Sequence, residues 1–442
     1  MREDTWAAVS LAGVSLAAGP ATSALRMRTV EEHVAAVLAA ARPTPVESVP
    51  LATAAGRVLG ADVASRVDLP SFDNSAMDGY AVHLADIAGV AGDEPAVLPV
   101  VDDVPAGDAR HVVLAPGTAV RIMTGAPVPS GTEAIIPFED TDRGARSVRI
   151  RVASSPGAHI RRQGEDVVAG EVVLTAGTVV GPAQVGLLAA CGHTHAPVHR
   201  APRVLVLSTG SELVRAGEPL GPGQIHDSNR PMLIAAVEAF GAHVITAPAI
   251  LDVPGALAAG VRAQLDEADV VLTTAGVSAG AYDVVREDLV TLVDDPADVE
   301  LVHVAMQPGK PQGLAHVGSR RVPVLALPGN PVSAYVSFHL FARPLLRLLA
   351  GHTTLSAPEV RARLTEAVEH KAGRRAYLRV RLTAGDDGWL ATPVGANGSH
   401  LLGALAHADA LLVVPEDTER LEAGSLARVV VTEPGATEGM MP

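Results

Sequence analysis

Between Arg203 and Ala334 the apolar positions fall into short runs, each closed by a loop of small and polar residues. Arg203-Val-Leu-Val-Leu-Ser208 runs into Thr209-Gly-Ser-Glu212. Asp269-Val-Val-Leu-Thr-Thr274 runs into Ala275-Gly-Val-Ser-Ala-Gly-Ala-Tyr-Asp283, and Val322-Pro-Val-Leu-Ala-Leu327 into Pro328-Gly-Asn-Pro331. Short β-branched runs bounded by turn residues read as buried strands. Helix-length patterns lie between them, at Arg230 to Phe240, Pro254 to Ala268 and Tyr282 to Val293. Strand alternating with helix predicts right-handed crossovers and a mostly parallel sheet. In such sheets ligands sit beyond the carboxyl ends of the strands, where these loops gather.

Further patterns flank this core. Thr29 with Glu32 forms a capping-box signature, and a helix follows to about Ala41 before Pro43. Val49 to Gly60 reads as a second short helix. Residues 82–159 read as a small β domain, with strand-length runs at Thr118–Met123, Ala134–Pro137 and Val148–Val152. Ser228 is the expected cap of the helix that Gly241 ends. A strand is expected from Val299 to Met306, and Asn330-Pro331 opens a long helix to Leu349. Residues 357–433 alternate again, as in Arg379-Val-Arg-Leu382, and predict a small barrel or sandwich.

The loops suit a phosphorylated, anionic ligand. Glycines let backbone N–H groups approach oxygens closely, and helix starts add partial positive charge. Glu212, Asp227 and Asp283 stand among these loops. Carboxylates beside phosphates imply a bridging Mg²⁺, because like charges otherwise repel. Gln307-Pro-Gly-Lys-Pro311 is no Walker A loop, yet Lys310 can place a point charge on an oxyanion.

Outside that region, Leu69-Pro-Ser-Phe-Asp-Asn-Ser-Ala-Met-Asp-Gly-Tyr-Ala81 is dense in hydrogen-bonding groups. It is either a functional loop or a set of Asx-turns that bind their own backbone. Met123-Thr-Gly-Ala-Pro-Val-Pro129 exposes Thr124 at its tip. Arg161-Arg-Gln-Gly-Glu-Asp166 reads equally as an anion-and-metal clamp or a solvated turn. Arg374, Arg379 and Asn397-Gly-Ser-His400 are the polar spots of the last domain, and the arginines read most simply as outward-facing strand residues.

Composition narrows the class. The chain has 442 residues, 48% of them apolar, which is globular and long enough for several cores. A net charge of −15 argues against nucleic acid. Cys191 is the only cysteine, which excludes an internal disulfide and fits a reducing cytoplasm. Cys191, His193, His195 and His199 lack the spacing of a zinc site and read as a strand and linker. No run is long enough to span a membrane. Residues 1–26 read as a loose extension, and Met27 as a candidate true start. Val9 to Ala24 resembles a signal-peptide core, but Glu3 and Asp4 spoil the basic segment such a signal needs.

Taken in order, these motifs resemble the molybdopterin molybdenumtransferases, the MoeA family, related to the C-terminal part of gephyrin. The carriers are Phe72–Ala81, Arg121–Pro129, Ile160–Asp166, Ser208–Leu213, Gly276-Val-Ser278 with Asp283, Pro308–Pro311 and Leu327–Ser333. The resemblance implies a homodimer of four-domain subunits in the cytoplasm. Residues 27–81 with 160–201 would form a discontinuous first domain, 82–159 the inserted β domain, 202–351 the central α/β molybdopterin-binding domain and 357–433 the C-terminal β domain. It implies that adenylylated molybdopterin and molybdate bind with Mg²⁺, and that molybdenum enters the dithiolene as AMP leaves. It also implies an active site that uses the first domain of one subunit and the central domain of the other.

Carried over by motif, Asp78, Thr124, Asp166, Glu212, Asp227, Asp283 and Lys310 are the catalytic set, with Glu212, Asp227 and Asp283 as metal ligands. Ser75, Gly276, Ser278, Gly309, Gly329, Asn330 and Pro331 would line the ligand, with Arg374, Arg379 and Ser399 on molybdate. The sequence departs from the family at Gln307, where a second lysine is often found, and at Ala275, where a Gly-Gly pair is common. No side chain is an obvious nucleophile, which favours attack by water or by a molybdate oxygen. Two other functions are weighed against this one: a molybdopterin adenylyltransferase, which needs little beyond the central domain, and a gephyrin-like scaffold. Partner proteins implied are that adenylyltransferase and recipient molybdoenzymes.

Overall fold

The computed structural model describes residues 27–39, 41–90, 94–247, 250, 253–275 and 281–432; within these, side chains at 275, 281–284 and 286 are outside the description. Two compact units emerge, one built from residues 1–47 and 199–442 and the other from 48–198.

In the larger unit the predicted rhythm becomes a six-stranded sheet in the order His243–Thr246, Arg203–Ser208, Val270–Ala275, Val322–Pro328, Pro311–Val317, Val299–His303. The first four strands are parallel and the last two antiparallel. Val, Leu and Ile on both faces bury against helices on each side, which is why the runs lack alternation. Helices form at Asn229–Phe240, Ala256–Gln264 and Ala281–Val290, close to the predicted spans. Gly241 ends the first of these at φ 89°, in the left-handed region that favours glycine.

Thr29 and Glu32 do form the reciprocal cap, at 3.1 and 2.8 Å, and the helix Val30–Ala39 packs in the same apolar core as Phe338, Phe341 and Leu345. The long helix from Pro331 runs through a π-helical stretch, Phe338–Ala342, before Arg343–Leu349. The strand expected from Val299 to Met306 is broken. The Val304 N–H turns to the Lys310 carbonyl at 2.7 Å, and Met306–Gln307 leaves the central sheet to pair with Arg375–Ala376. Backbone pairing with the last domain therefore outweighs continuation of the apolar run.

That last domain is a closed barrel. Glu359–Leu364, Arg375–Gly385, Gly388–Pro393, Ala410–Val414 and Leu426–Val431 pair around a ring around the small apolar core of Ala362, Val380, Leu412 and Val429. Closure removes the open sheet edges.

In the smaller unit a five-stranded sheet runs in the order Ala134–Pro137, Gly79–Val82, Ala119–Ile122, Ala96–Val104, Ser147–Ile150. Its second strand begins at Gly79, so the polar loop feeds directly into the β layer. Gly79 has no room for a side chain, since a Cβ would meet the Ile136 carbonyl oxygen at 2.1 Å. The helix expected at Val49–Gly60 is instead the strand Val46–Pro50 and a short 3₁₀ turn, Leu51–Thr53. Its apolar residues Ala54 and Leu59 bury against Leu188, Ala196 and Val198, and tertiary pairing overrides the local helical pattern. No described helix is long and apolar enough to cross a membrane.

Candidate functional site

Two clusters of polar residues stand out, one in each unit. In the smaller unit Asn74–Ser75 pairs with Ile160–Arg161, which brings the first polar loop to the Arg161–Asp166 turn. The Gly125 N–H donates to the Ser75 carbonyl at 2.8 Å and docks the Thr124 loop on the same loop. Asp78 Oδ1 then accepts from both the Thr124 N–H, at 2.7 Å, and the Thr124 hydroxyl, at 2.8 Å. These bonds, with the Arg121 charge behind them, hold the Asp78 carboxyl below the usual carboxylate range. Asp78 is thus an exposed carboxylate fixed in place by Thr124. An open cavity of about 700 Å³, lined by Asp103, Arg110, Arg121 and Met123 among others, opens one residue from Thr124.

Around this pair most polar groups serve the loop itself. Asp73 accepts from the Gln163 N–H at 2.8 Å and from Arg162 at 2.6 Å, so one of the two arginines is engaged within the protein. Ser75 is fully buried, donates to the Met77 carbonyl and accepts from the Met77 N–H, so its hydroxyl shapes the turn. Asp166 is exposed and contributes its N–H to the Leu69 carbonyl at 3.0 Å. The histidines near Cys191 are likewise locally engaged: His193 Nε2 lies 2.8 Å from the Ala64 carbonyl.

In the larger unit the predicted strand-end loops do gather. Asp227 is buried, accepting from the Ser208 hydroxyl at 2.5 Å and from the Arg230 N–H at 3.1 Å. Asp227 therefore supplies the side-chain cap expected of Ser228, which makes no such bond. Glu212 is exposed, and its Oε2 lies 2.9 Å from where a Gly210 Cβ would stand, so its carboxylate folds back over the strand end. Both carboxylates thus meet the carboxyl end of Arg203–Ser208. Asp283 falls in the helix Ala281–Val290, but its side chain, and Gly276 and Ser278 entirely, lie outside the described residues.

A second line of bonds joins the neighbouring loops. The Asn229 amide donates to the Gly329 carbonyl at 2.6 Å, and the Asn330 amide to the Ser399 hydroxyl at 3.1 Å. The Val332 N–H donates to the Ser399 carbonyl at 3.1 Å, just past Pro331 at the helix start. Ser399 of the barrel domain is thereby seated at the opening of the Pro331 helix. The Asn229 contact was not legible in the sequence, because an asparagine at a helix start has an ordinary capping explanation.

Lys310 and Arg374 come to opposite sides of one short segment. The Val304 N–H donates to the Lys310 carbonyl at 2.7 Å, and the Arg375 N–H to the Ala305 carbonyl at 3.0 Å. Neither the Lys310 ammonium nor the Arg374 guanidinium has a hydrogen-bond or ion-pair partner among the described residues. The Lys310 charge is felt by His303, whose pKa is lowered by burial and then by that ammonium. Arg379 corrects the outward-facing reading. It is 6% exposed and bonds the Ala396 and Gly398 carbonyls, bracing the loop that carries Ser399. Burial lowers its pKa.

The oxygen-rich strand end fits Mg²⁺ by donor chemistry. Among the described residues no three acidic, histidine or cysteine side chains form a cage. Mg²⁺ seldom uses one; it takes one or two carboxylates and completes its shell with water and phosphate oxygens.

Comparison with known proteins places these clusters in a family. Three family profiles match in order: "MoeA N-terminal region (domain I and II)" over residues 28–192, "Probable molybdopterin binding domain" over 205–348 and "MoeA C-terminal region (domain IV)" over 361–432. The chain is 47% identical over 410 residues to molybdopterin molybdenumtransferase 2 of Mycobacterium tuberculosis, covering 91% of this chain and 99% of that one. It is 37% identical to the molybdopterin molybdenumtransferase of a Nostoc species, over 84% of this chain and 85% of the relative. A crystal structure of a molybdopterin biosynthesis MoeA protein from a Pyrococcus species superposes with a TM-score of 0.78 at 32% identity, covering 92% of this chain and all of that one. A fold, a set of loops and an identity that extend together over nine-tenths of the sequence make this chain a member of the MoeA family of molybdopterin molybdenumtransferases.

Proposed function

We propose that this protein inserts molybdenum from molybdate into adenylylated molybdopterin, releasing AMP, in the biosynthesis of molybdenum cofactor. The observation that carries the reading is the arrangement of the larger unit. The Glu212–Asp227 strand end, the Asn330–Ser399 contact and the Lys310 and Arg374 cations, unpaired among the described residues, all belong to that one unit.

The residues divide the work by charge. Lys310 and Arg374 supply cations for a molybdate dianion, and Ser399 and Asn330 offer neutral donors beside it. The backbone N–H groups of Gly309 and Gly329 serve ligand oxygens. Glu212, Asp227 and Asp283 would hold Mg²⁺, which when bound would polarise the pyrophosphate and offset its charge. Asp227 is already oriented by Ser208 and the Arg230 N–H, so little ordering remains to be done on binding. Asp78, with Thr124 fixing its rotamer, and the exposed Asp166 are the acidic contribution of the smaller unit.

The protein acts as a homodimer in the cytoplasm, with the molybdopterin adenylyltransferase supplying its substrate and molybdoenzymes receiving its product. The four-domain division read from the motifs belongs to the same proposal, supported by the profile descriptions, which name domains I, II and IV. Reconstitution with adenylylated molybdopterin, molybdate and Mg²⁺ tests the reading by AMP release. Asp283→Ala should lose most of that release with an unchanged circular-dichroism spectrum. Wild-type turnover by a folded Asp283→Ala protein would remove Asp283 from the machinery, and no molybdate-dependent AMP from the wild type would overturn the assignment.

A further inference from the structure

The Lys310 loop is held by a buried side chain outside the loop. Gln312 lies on the antiparallel strand Pro311–Val317, where it pairs with Val302, and is 1% exposed. Its amide nitrogen donates to the Gly309 carbonyl at 2.7 Å and to the Ser337 hydroxyl at 2.7 Å. Ser337 is fully buried and stands at the last position of the helix Pro331–Ser337, where the π-helical stretch begins. π-Helical turns are rare and often accompany functional sites.

Gly309 shows how little slack this arrangement has. Its φ is +96°, and a Cβ there would meet the Ser337 hydroxyl at 3.0 Å, the Met306 side chain at 3.1 Å and the Gln312 amide at 3.3 Å. One amide therefore clamps the backbone immediately before Lys310 to the helix that begins at Asn330 and Pro331. One end of that clamp is the Lys310 loop itself, and the other is the helix whose opening at Asn330 and Pro331 the proposed reaction uses.

We infer that Gln312 is a positioning residue for oxyanion binding: with Ser337 it fixes the Gly309 backbone, and through it the direction in which Lys310 presents its charge. The inference rests on the reading of Lys310 as an oxyanion contact. A point charge on a flexible four-carbon stem binds an anion well only if its root is fixed, since ordering that stem costs entropy.

The test is the half-saturating molybdate concentration for AMP release in four proteins: wild type, Gln312→Met, Lys310→Met and the double variant. Ser337→Ala, a smaller change that removes one of the two acceptors, is measured beside them in case Gln312→Met folds poorly. Gln312→Met should raise half-saturating molybdate roughly five-fold, the equilibrium equivalent of one net hydrogen bond. Ser337→Ala should raise it less. The value for adenylylated molybdopterin should stay within two-fold of wild type, about the scatter expected of distant substitutions. In the Lys310→Met background the Gln312→Met effect should vanish, because the residue acts through the lysine. A Gln312→Met effect undiminished without Lys310, or equal effects on both substrates, would reduce Gln312 to a structural residue and overturn the inference. Unchanged molybdate dependence in folded Gln312→Met and Ser337→Ala proteins would do the same while leaving the Lys310 reading intact. Unchanged dependence in Lys310→Met would overturn the Lys310 reading and the inference with it.

Discussion

Two histidines in the core of the larger unit predict a steep loss of stability in mild acid. His33, on the first helix, is 1% exposed, stacked edge-on against Phe341 at 4.6 Å, and its Nδ1 has no hydrogen-bond partner. His339, in the π-helical stretch, is 5% exposed, lies 4.4 Å from the Tyr335 ring and leaves Nε2 without one. Burial pushes both down from 6.5 to about 3, helped by Arg28 at His33 and Arg343 at His339. The sign follows from linkage. Between about pH 6.5 and about pH 3 the unfolded chain binds protons that the folded chain does not, so stability falls as pH falls through that window and is constant above it.

At pH 5 the unfolded histidine is protonated about 1.5 units below its ordinary pKa, and each unit is worth about 1.36 kcal/mol, so each imidazole removes about 2 kcal/mol. The pair removes about 4 kcal/mol, a large share of the 5–15 kcal/mol typical of a folded protein. The perturbation is His33→Leu with His339→Leu, which keeps the apolar volume and removes both protons. Urea unfolding by circular dichroism at pH 7.5, 6.0 and 5.0 should show the wild type losing about 4 kcal/mol more than the double variant between the first and last. The absolute stability of the variant is immaterial; only its pH slope is read. Equal losses in the two proteins would refute the argument, because the histidines would then not stay neutral in the folded state.

Two further substitutions test the site chemistry. Thr124→Val removes the hydroxyl that donates to Asp78 but keeps the N–H, so the Asp78 pKa should rise and the acidic limb of the AMP-release profile should move to higher pH; an unmoved limb would exclude Asp78 as the group responsible. Gln307→Lys adds a cation three residues from Lys310 on the half-buried edge strand Met306–Gln307. An exposed charge contributes on the order of 1 kcal/mol, so half-saturating molybdate should fall several-fold, and an unchanged or higher value would count against a role for charge there.

Elements with dense local signals could be read directly along the chain. Continuous Val and Leu runs gave the buried parallel strands, the Thr29–Glu32 spacing gave a real cap, and Gly241 gave a real helix end. The motifs of the family also put Asp78 and Thr124 in one proposed set, and the two are hydrogen-bonded in the fold. Tertiary structure decided what local pattern left open. Val49–Gly60 looked helical, but its apolar residues found partners in Leu188 and Val198, and it lies as a strand and a short turn. Arg379 reads as a surface cation until the barrel closes around it and turns it onto two carbonyls. The polar loop reads either as functional or as turns bonded to their own backbone until the fold shows Ser75 on Met77 and Asp73 on Arg162 and Gln163. Gln312 carries no signal in the sequence at all, since an amide on a strand is ordinary until Gly309 and Ser337 arrive beside it. The physical reason is range. Propensity, capping and periodicity act over a few residues and can be read along the chain. A buried polar group is defined by which partner satisfies it, and that partner is set by packing between segments far apart in sequence.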